Sequence, residues 1–357
     1  MTVSGTPLSM TDADRLSRYA EISTALALWS DEELQQHLEE AAILNTGIGG
    51  LTARMALNDT AVFVKMVPLT VLEQQHVRST ANLFQLPPYC HYGIGSPGFG
   101  AWRELASHIM TTNWVLANQC PSFPILYHWR VVPRPHREAP IAEELRQVSQ
   151  QSAFWGSAAV GNRLEAIAQA ESSLVLCSEY LPHTLHDWLA SHVVLGEDAL
   201  NACLRLAESQ IPKAVAFMND HGLFHFDVHS RNLLTDGQRV YITDFGLAAS
   251  TRFELSGSEA AFLTRNRRHD GAYALTDLVN ELLRAFTDHA AWEDRIAFLH
   301  RVEEGPVPAD IMATAACAIR RYAPIAAVIN EFYWELAKKK RDTPFPAAQI
   351  EAMTVRP

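Results

Sequence analysis

The pattern of apolar and polar positions divides this chain into a strand-rich first half and a helix-rich second half. Residues 14–42 carry a helical stripe, with a capping-box start at Ser30-Asp31-Glu32-Glu33 and apolar positions at Leu34, Leu38 and Ala41–Ala42. Over 43–69 the period shortens to that of three antiparallel strands, joined first by the glycine turn Asn45-Thr46-Gly47-Ile48-Gly49-Gly50 and then by Asn58-Asp59. Residues 70–100 are turn-rich, with Pro87-Pro88 and Gly93, Gly95, Gly98 and Gly100. A helix follows over 101–118, a fourth strand over 124–132, a polar, helix-leaning insertion over 133–172, and a fifth strand at 174–178.

From there helices dominate. Glu179-Tyr180-Leu181-Pro182 reads as a connector into a helix from Thr184, and 198–220 is strongly helical. Leu233-Leu234 and Val240-Tyr241-Ile242 flank an Asp236-Gly237 turn, the signature of a hairpin. Residues 247–268 are expected to be irregular; 271–287, 290–303 and 308–340 are expected to be helical. The fold class is therefore α+β. Its domains are a helical extension (1–42), a β-rich lobe (43–180) with insertions near 70–100 and 133–172, and a helical lobe (181–357).

Composition narrows the setting. At 357 residues, 48% hydrophobic and 19% charged, the chain is long enough for two lobes with substantial cores. Its net charge of −11 argues against a general nucleic-acid or polybasic membrane-surface binder. Five scattered cysteines without a C-x-x-C pair suit a reducing cytosol. The first residues show neither a basic nor an apolar leader region, and no apolar run approaches the roughly 18–20 residues of a membrane span. The expected location is cytoplasmic.

The candidate chemistry lies on two neighbouring loops. His225-Phe226-Asp227-Val228-His229-Ser230-Arg231-Asn232 is followed by Thr243-Asp244-Phe245-Gly246. Asp227 suits a base for an acceptor hydroxyl, and Asn232 and Asp244 are oxygen ligands of the kind Mg²⁺ prefers. Lys65, inside a buried-looking strand, is costly without an anionic partner. Glu104 is the first candidate and Glu73 the spare; otherwise Glu104 is an acid serving its helix dipole. The turn at Gly47, Gly49 and Gly50 brings backbone N–H groups close to phosphates, or is an ordinary hairpin turn. The backbone of the connector at Glu179 and Leu181 is a place for an adenine edge.

Taken in order, Gly47/Gly49/Gly50, Lys65, Glu104, the 179–181 connector, His225-x-Asp227-x₄-Asn232 and Asp244-Phe245-Gly246 resemble the protein-kinase-like superfamily over roughly residues 43–285. The resemblance implies a bilobal fold using ATP and Mg²⁺. It makes Asp227 the catalytic base, Asn232 and Asp244 the metal ligands, Lys65 a phosphate ligand oriented by Glu104, and His225 a buttress of the Asp-Phe-Gly segment. It gives Asp277 the role of bracing the catalytic-loop backbone. Two features depart from it. His229 stands where serine/threonine kinases carry lysine, an Asp-x-His-x-x-Asn pattern that resembles aminoglycoside phosphotransferase-like and HipA-like kinases. No Ala-Pro-Glu follows the Asp-Phe-Gly run. His229 is either a loop residue bonded to nearby backbone or a substitute γ-phosphate contact. Three functions stay open: an atypical serine/threonine protein kinase, a small-molecule hydroxyl kinase, or a pseudokinase scaffold. The expected partners are ATP and a protein or small-molecule hydroxyl substrate, with no nucleic acid and no membrane.

Overall fold

The computed structural model describes residues 11–47, 50–134, 142–289 and 291–354. The chain opens with helices α1 (Asp12–Leu28) and α2 (Asp31–Glu40), each started by a reciprocal capping box, Thr11 with Asp14 and Ser30 with Glu33. Ser30 thus splits the apolar stripe of 14–42 into two helices. Then come β1 (Ala42–Gly47), β2 (Gly50–Leu57) and β3 (Thr60–Leu69). Asn58 and Asp59 both have positive φ, as a two-residue hairpin turn requires.

Helix α3 (Val71–Gln75), a 3₁₀ turn at Pro88–Tyr92 and α4 (Ala101–Leu116) lead to β4 (Leu126–Pro133). The 133–172 insertion holds two helices, α5 (Ala142–Trp155) and α6 (Ala158–Ala168), before β5 (Ser172–Glu179). The five strands form one antiparallel sheet in the order β1-β2-β3-β5-β4, with Lys65 paired to Leu176. Its alternating inner residues, among them Met55, Val62, Val64, Val175 and Cys177, are buried.

The second lobe contains β6 (His183–Thr184), α7 (Leu185–Leu195), α8 (Glu197–Asp220), β7 (Leu223–Phe224), β8 (Leu233–Thr235), β9 (Val240–Ile242) and β10 (Ala249–Ser250). It ends with α9 (Gly257–Arg265), α10 (His269–Phe286), α11 (Trp292–Glu304), α12 (Ala313–Lys338) and α13 (Ala347–Thr354). A β-sheet lobe joined to a helical one is the bilobal kinase fold. The segment 247–268 is not irregular throughout. A capping box between Ser256 and Glu259 starts α9 inside it, a signal that the basic residues at its end obscure.

The N-terminal extension is fastened by one buried arginine. Arg15 on α1 donates from Nε (2.9 Å) and from one terminal nitrogen (2.7 Å) to the Glu179 carboxylate, and to the carbonyls of Pro121 (3.0 Å) and Phe123 (2.7 Å). Both side chains are 1% exposed. A buried ion pair adds little net stability when intact but is costly to break from one side. Arg15→Ala should lower the free energy of unfolding by about 3–5 kcal/mol, because Glu179 is left as a lone buried charge. Urea unfolding measures this, and a change under about 1 kcal/mol would contradict the account.

Candidate active site

Lys65 sits at the centre of the site. It is buried in β3, and its Nζ is 2.6 Å from Glu104 Oε1 on α4 and 2.7 Å from Asp244 Oδ1 on the loop after β9. Glu104 is therefore the partner. Glu73, the spare candidate, instead receives the Ala101 N–H at 2.9 Å and faces Arg163 at 3.4 Å. Burial alone would pull the ammonium of Lys65 down, but the charges of Asp244 and Glu104 outweigh it and hold the lysine above its ordinary value. Burial would likewise push Asp244 up, and Lys65 overcomes it, keeping that carboxylate ionised well below the usual range.

Asp227 is half-buried beside these groups. Asn232 donates from Nδ2 to the Asp227 carbonyl (3.0 Å) and to its Oδ2 (3.1 Å), which leaves the amide oxygen as the atom able to meet a cation. Asn232 and Asp244 thus offer a carboxamide and a carboxylate oxygen, a hard donor set that fits Mg²⁺. His229 Nε2 lies 3.6 Å from Asp227 Oδ2. Burial lowers the imidazole's affinity for a proton, but the hydrogen bond and charge of Asp227 outweigh this and raise it above the ordinary value. His229 Nδ1 accepts the Arg231 N–H at 3.3 Å, as a loop residue bonded to nearby backbone does, while its Nε2 faces the candidate base.

The loops hold these groups at backbone angles that side chains rarely adopt. Phe226 has φ 64° and Asp244 φ 65°, each a non-glycine residue in the left-handed region. The bracing is dense. His225 Nε2 bonds the Thr243 carbonyl at 2.8 Å, and its ring packs on Phe245 at 5.1 Å, the buttress the resemblance implies. Asp270 accepts the His225 and Phe226 N–H groups, both at 2.7 Å. Asp277, two turns further along α10, accepts the Ser230 N–H at 2.6 Å. The bracing given to Asp277 is thus shared, and the residues before Asp227 belong to Asp270. Spacing on α10 was the available signal: residues seven apart share a helix face.

Other expectations are also corrected. The Glu179 carboxylate is committed to Arg15 and its N–H to the Ile125 carbonyl at 2.9 Å, so of its backbone the N–H is not available to an adenine edge. Leu181 is buried in the connector. Gly49 lies outside the described residues. Gly47 is in open space, whereas a Cβ on Gly50 would lie 2.1 Å from the Met66 carbonyl, so this glycine serves the close approach of β2 to β3. The glycines that line the cavity are Gly93, Gly95, Gly98 and Gly100, with Gly246 of the Asp-Phe-Gly run. The Gly-x-Gly-x-x-Gly spacing of the first three was visible in the sequence, but this pattern by itself is a weak signal. Neighbouring Glu104, Arg103 is buried and paired with Glu259 of α9 at 2.7 Å, an ion pair between residues 156 apart in sequence.

Histidines support the site from behind. Burial pushes His108 of α4 down to about 3, with Lys65 adding to the effect, and its ring meets Phe245 edge-on at 5.0 Å. The folded value lies below the ordinary ~6.5, so the unfolded chain binds the extra proton in that window and stability falls as the pH drops through it. The loss of stability with pH between about 6 and 4 should be shallower in His108→Leu than in wild type by roughly 1.4 kcal/mol per pH unit. Urea titrations at several pH values measure both slopes, and equal slopes would contradict a neutral buried His108. In a separate test, Asp270→Asn should speed amide hydrogen exchange at Phe226 by about tenfold or more and leave Ser230 protected. Asp277→Asn should do the reverse; exposure of both amides in either variant would count against the shared bracing.

Comparison with known proteins meets this geometry at the catalytic loop. The family described as Protein kinase domain matches residues 158–266. The chain is 32% identical over 133 residues to Serine/threonine-protein kinase PKH2 of Saccharomyces cerevisiae (strain ATCC 204508 / S288c), covering 36% of this chain and 12% of that protein. It is 37% identical over 95 residues to Probable cell division protein kinase ECU11_1290 of Encephalitozoon cuniculi (strain GB-M1), covering 26% of this chain and 28% of that protein. The chain thus matches less than a third of the length of either relative.

Proposed function

We propose that this chain, a member of the protein-kinase-like superfamily, transfers the γ-phosphoryl group of ATP to an alcoholic hydroxyl. The observation that carries the reading is Lys65 held between Glu104 and Asp244, with Asp227 and Asn232 beside it. Phosphoryl transfer asks the protein chiefly to position charged groups and to stabilise the charge on the moving phosphoryl oxygens. Lys65 exchanges its bond to Asp244 for phosphate oxygens and stays oriented by Glu104. Asn232 and Asp244 would hold Mg²⁺, which when bound neutralises phosphate charge.

The acceptor oxygen attacks the γ-phosphorus while the bond from that phosphorus to the β–γ bridging oxygen breaks, and ADP leaves with the electron pair. The hydroxyl proton passes to Asp227 and from there to solvent. His229, with Nε2 3.6 Å from Asp227 Oδ2, orients that carboxylate, and the raised proton affinity of its imidazole favours positive charge beside the transferring group. The connector at 180–181 lies beside the base in this reading.

The name of one relative points to serine and threonine side chains as acceptors. A small hydroxyl compound is the second reading, favoured by the approach of the Gly93 backbone to Asp227: a Cβ there would lie 3.5 Å from Oδ1. The five cysteines are free thiols, four of them buried, which fits a reducing compartment. Among the described residues no helix is long and apolar enough to cross a membrane.

Asp227→Ala should lower the turnover of Mg-ATP by about 10²–10⁴-fold, the contribution of a positioned general base, and leave nucleotide affinity within about threefold. Release of labelled phosphate and calorimetric titration measure the two quantities. Equal turnover in wild type and variant would remove Asp227 from the chemistry.

A further inference from the structure

Between β3 and α4 the chain leaves the sheet lobe, is built into the helical lobe, and returns. Glu254, just before α9, accepts the Thr80 N–H at 3.1 Å. Tyr92 donates to Asn266 Oδ1 at 2.6 Å and is buried against Phe226, Phe262 and Phe332. His91 bonds the Leu247 carbonyl at 2.7 Å and stacks on Phe99 at 3.6 Å. Burial, with Arg103 adding to it, pushes His91 down to about 3, so this clasp is uncharged at neutral pH.

The return path crosses the catalytic loops. Gly93, Ile94 and Gly95 have φ 78°, 50° and 74°, three left-handed residues in a row. A β-branched residue in that region is an outlier that persists only where its surroundings over-determine it. Here the contacts are close on both sides. A Cβ on Gly93 would lie 3.5 Å from Asp227 Oδ1, one on Gly98 2.8 Å from the Gly246 carbonyl, and one on Gly95 2.8 Å from Gln151 Nε2 of α5. Arg163 of α6, 3% exposed, donates from Nε to the Gly98 carbonyl at 2.6 Å and to that of Pro97 at 3.4 Å. Behind it Phe99 packs with Trp155, Val160 and Leu164 in a separate apolar cluster. The two insertions thus form one body, and its inner face is backbone.

The result is a cavity of about 420 Å³ between Lys65, Asp227 and Asp244 on the reacting side and Ile94, Pro97 and Arg163 on the other. Resting on the phosphotransfer reading, we propose that the segment Gly93–Gly100, locked by Arg163, is an acceptor-selecting wall that admits a small hydroxyl compound to Asp227 and shuts out a polypeptide. An extended polypeptide needs a groove open at both ends beside the reacting residue. Gly93 stands within van der Waals reach of the carboxylate that must receive the hydroxyl proton. The triphosphate end and a compact alcohol together fill a space of this size. Arg163 lines the far side of that space with its guanidinium engaged by the Gly98 and Pro97 carbonyls and by Glu73; it acts as a positioning residue for the wall.

The test uses the full chain, with water as the smallest acceptor and dephosphorylated casein as the polypeptide. Arg163→Gln removes the lock, and Ile94→Gly opens the wall while relieving its backbone strain, so the test survives if one variant fails to fold. Each should label casein at least ~10-fold faster than wild type, with the rate of Mg-ATP hydrolysis and the KM for ATP within about twofold. Arg163→Lys, which keeps a donor for the Gly98 carbonyl, should retain wild-type selectivity. The proposal is overturned if wild type labels casein as fast as both variants, or if neither variant gains casein labelling while hydrolysis persists. A wild-type protein that neither binds nor hydrolyses Mg-ATP would instead overturn the phosphotransfer reading, and the wall with it.

Discussion

An ammonium group withdrawn from water must find counter-charge, and Lys65 finds it in two places at once. Glu104 comes from a helix of its own lobe, and Asp244 from a loop of the other. The lysine therefore fixes the rotation of α4 against the sheet and the approach of the two lobes together. The preceding residue on α4 extends the constraint: Arg103 reaches Glu259 at the start of α9, so one turn of helix is tied both to the sheet and to the segment after Gly246. Such buried pairs add little net stability, but removing one partner is costly, which makes them effective as specifiers of a single arrangement.

The candidate catalytic loops show the same economy of means. Their left-handed Phe226 and Asp244 are unfavourable in isolation, and each is surrounded by fixed partners: Asp270 on the backbone at Phe226, His225 behind Phe245, and Lys65 on the Asp244 carboxylate. The strain orients two carboxylates toward one cleft. Arg15, from a helix at the far end of the sequence, adds a further brace by holding Glu179 at the exit of β5.

Much of this was legible in the order of residues. A lysine in an apolar strand announces a partner, and the spacing of Asp227, Asn232 and Asp244 announces the loops that carry them. The alternation over 43–69 yields β2 and β3 nearly to the residue, whereas β1 runs on to Gly47 through residues expected in the glycine turn. What was not legible is what depends on packing between distant segments. Nothing local marks Arg15 as the partner of Glu179, or Arg163 as a lock on Gly98, because long-range ion pairs leave no periodic trace. The bracing role of Asp270 was hidden for another reason: two acids on one face of α10 serve neighbouring stretches of the same loop, and spacing alone does not separate them. The helix within 247–268 was missed although Ser256 and Glu259 mark its start.

The central claim is that Lys65, Asn232 and Asp244 form the phosphate and metal end of an ATP site, with Asp227 beside the γ-phosphate. A crystal structure of the chain with Mg²⁺ and a non-hydrolysable ATP analogue tests it most directly. The account predicts Lys65 on the phosphates, the cation between the Asn232 amide oxygen and the Asp244 carboxylate, and Asp227 facing the γ-phosphate from the acceptor side. A nucleotide bound elsewhere, or a cation that engages neither Asn232 nor Asp244, would contradict it.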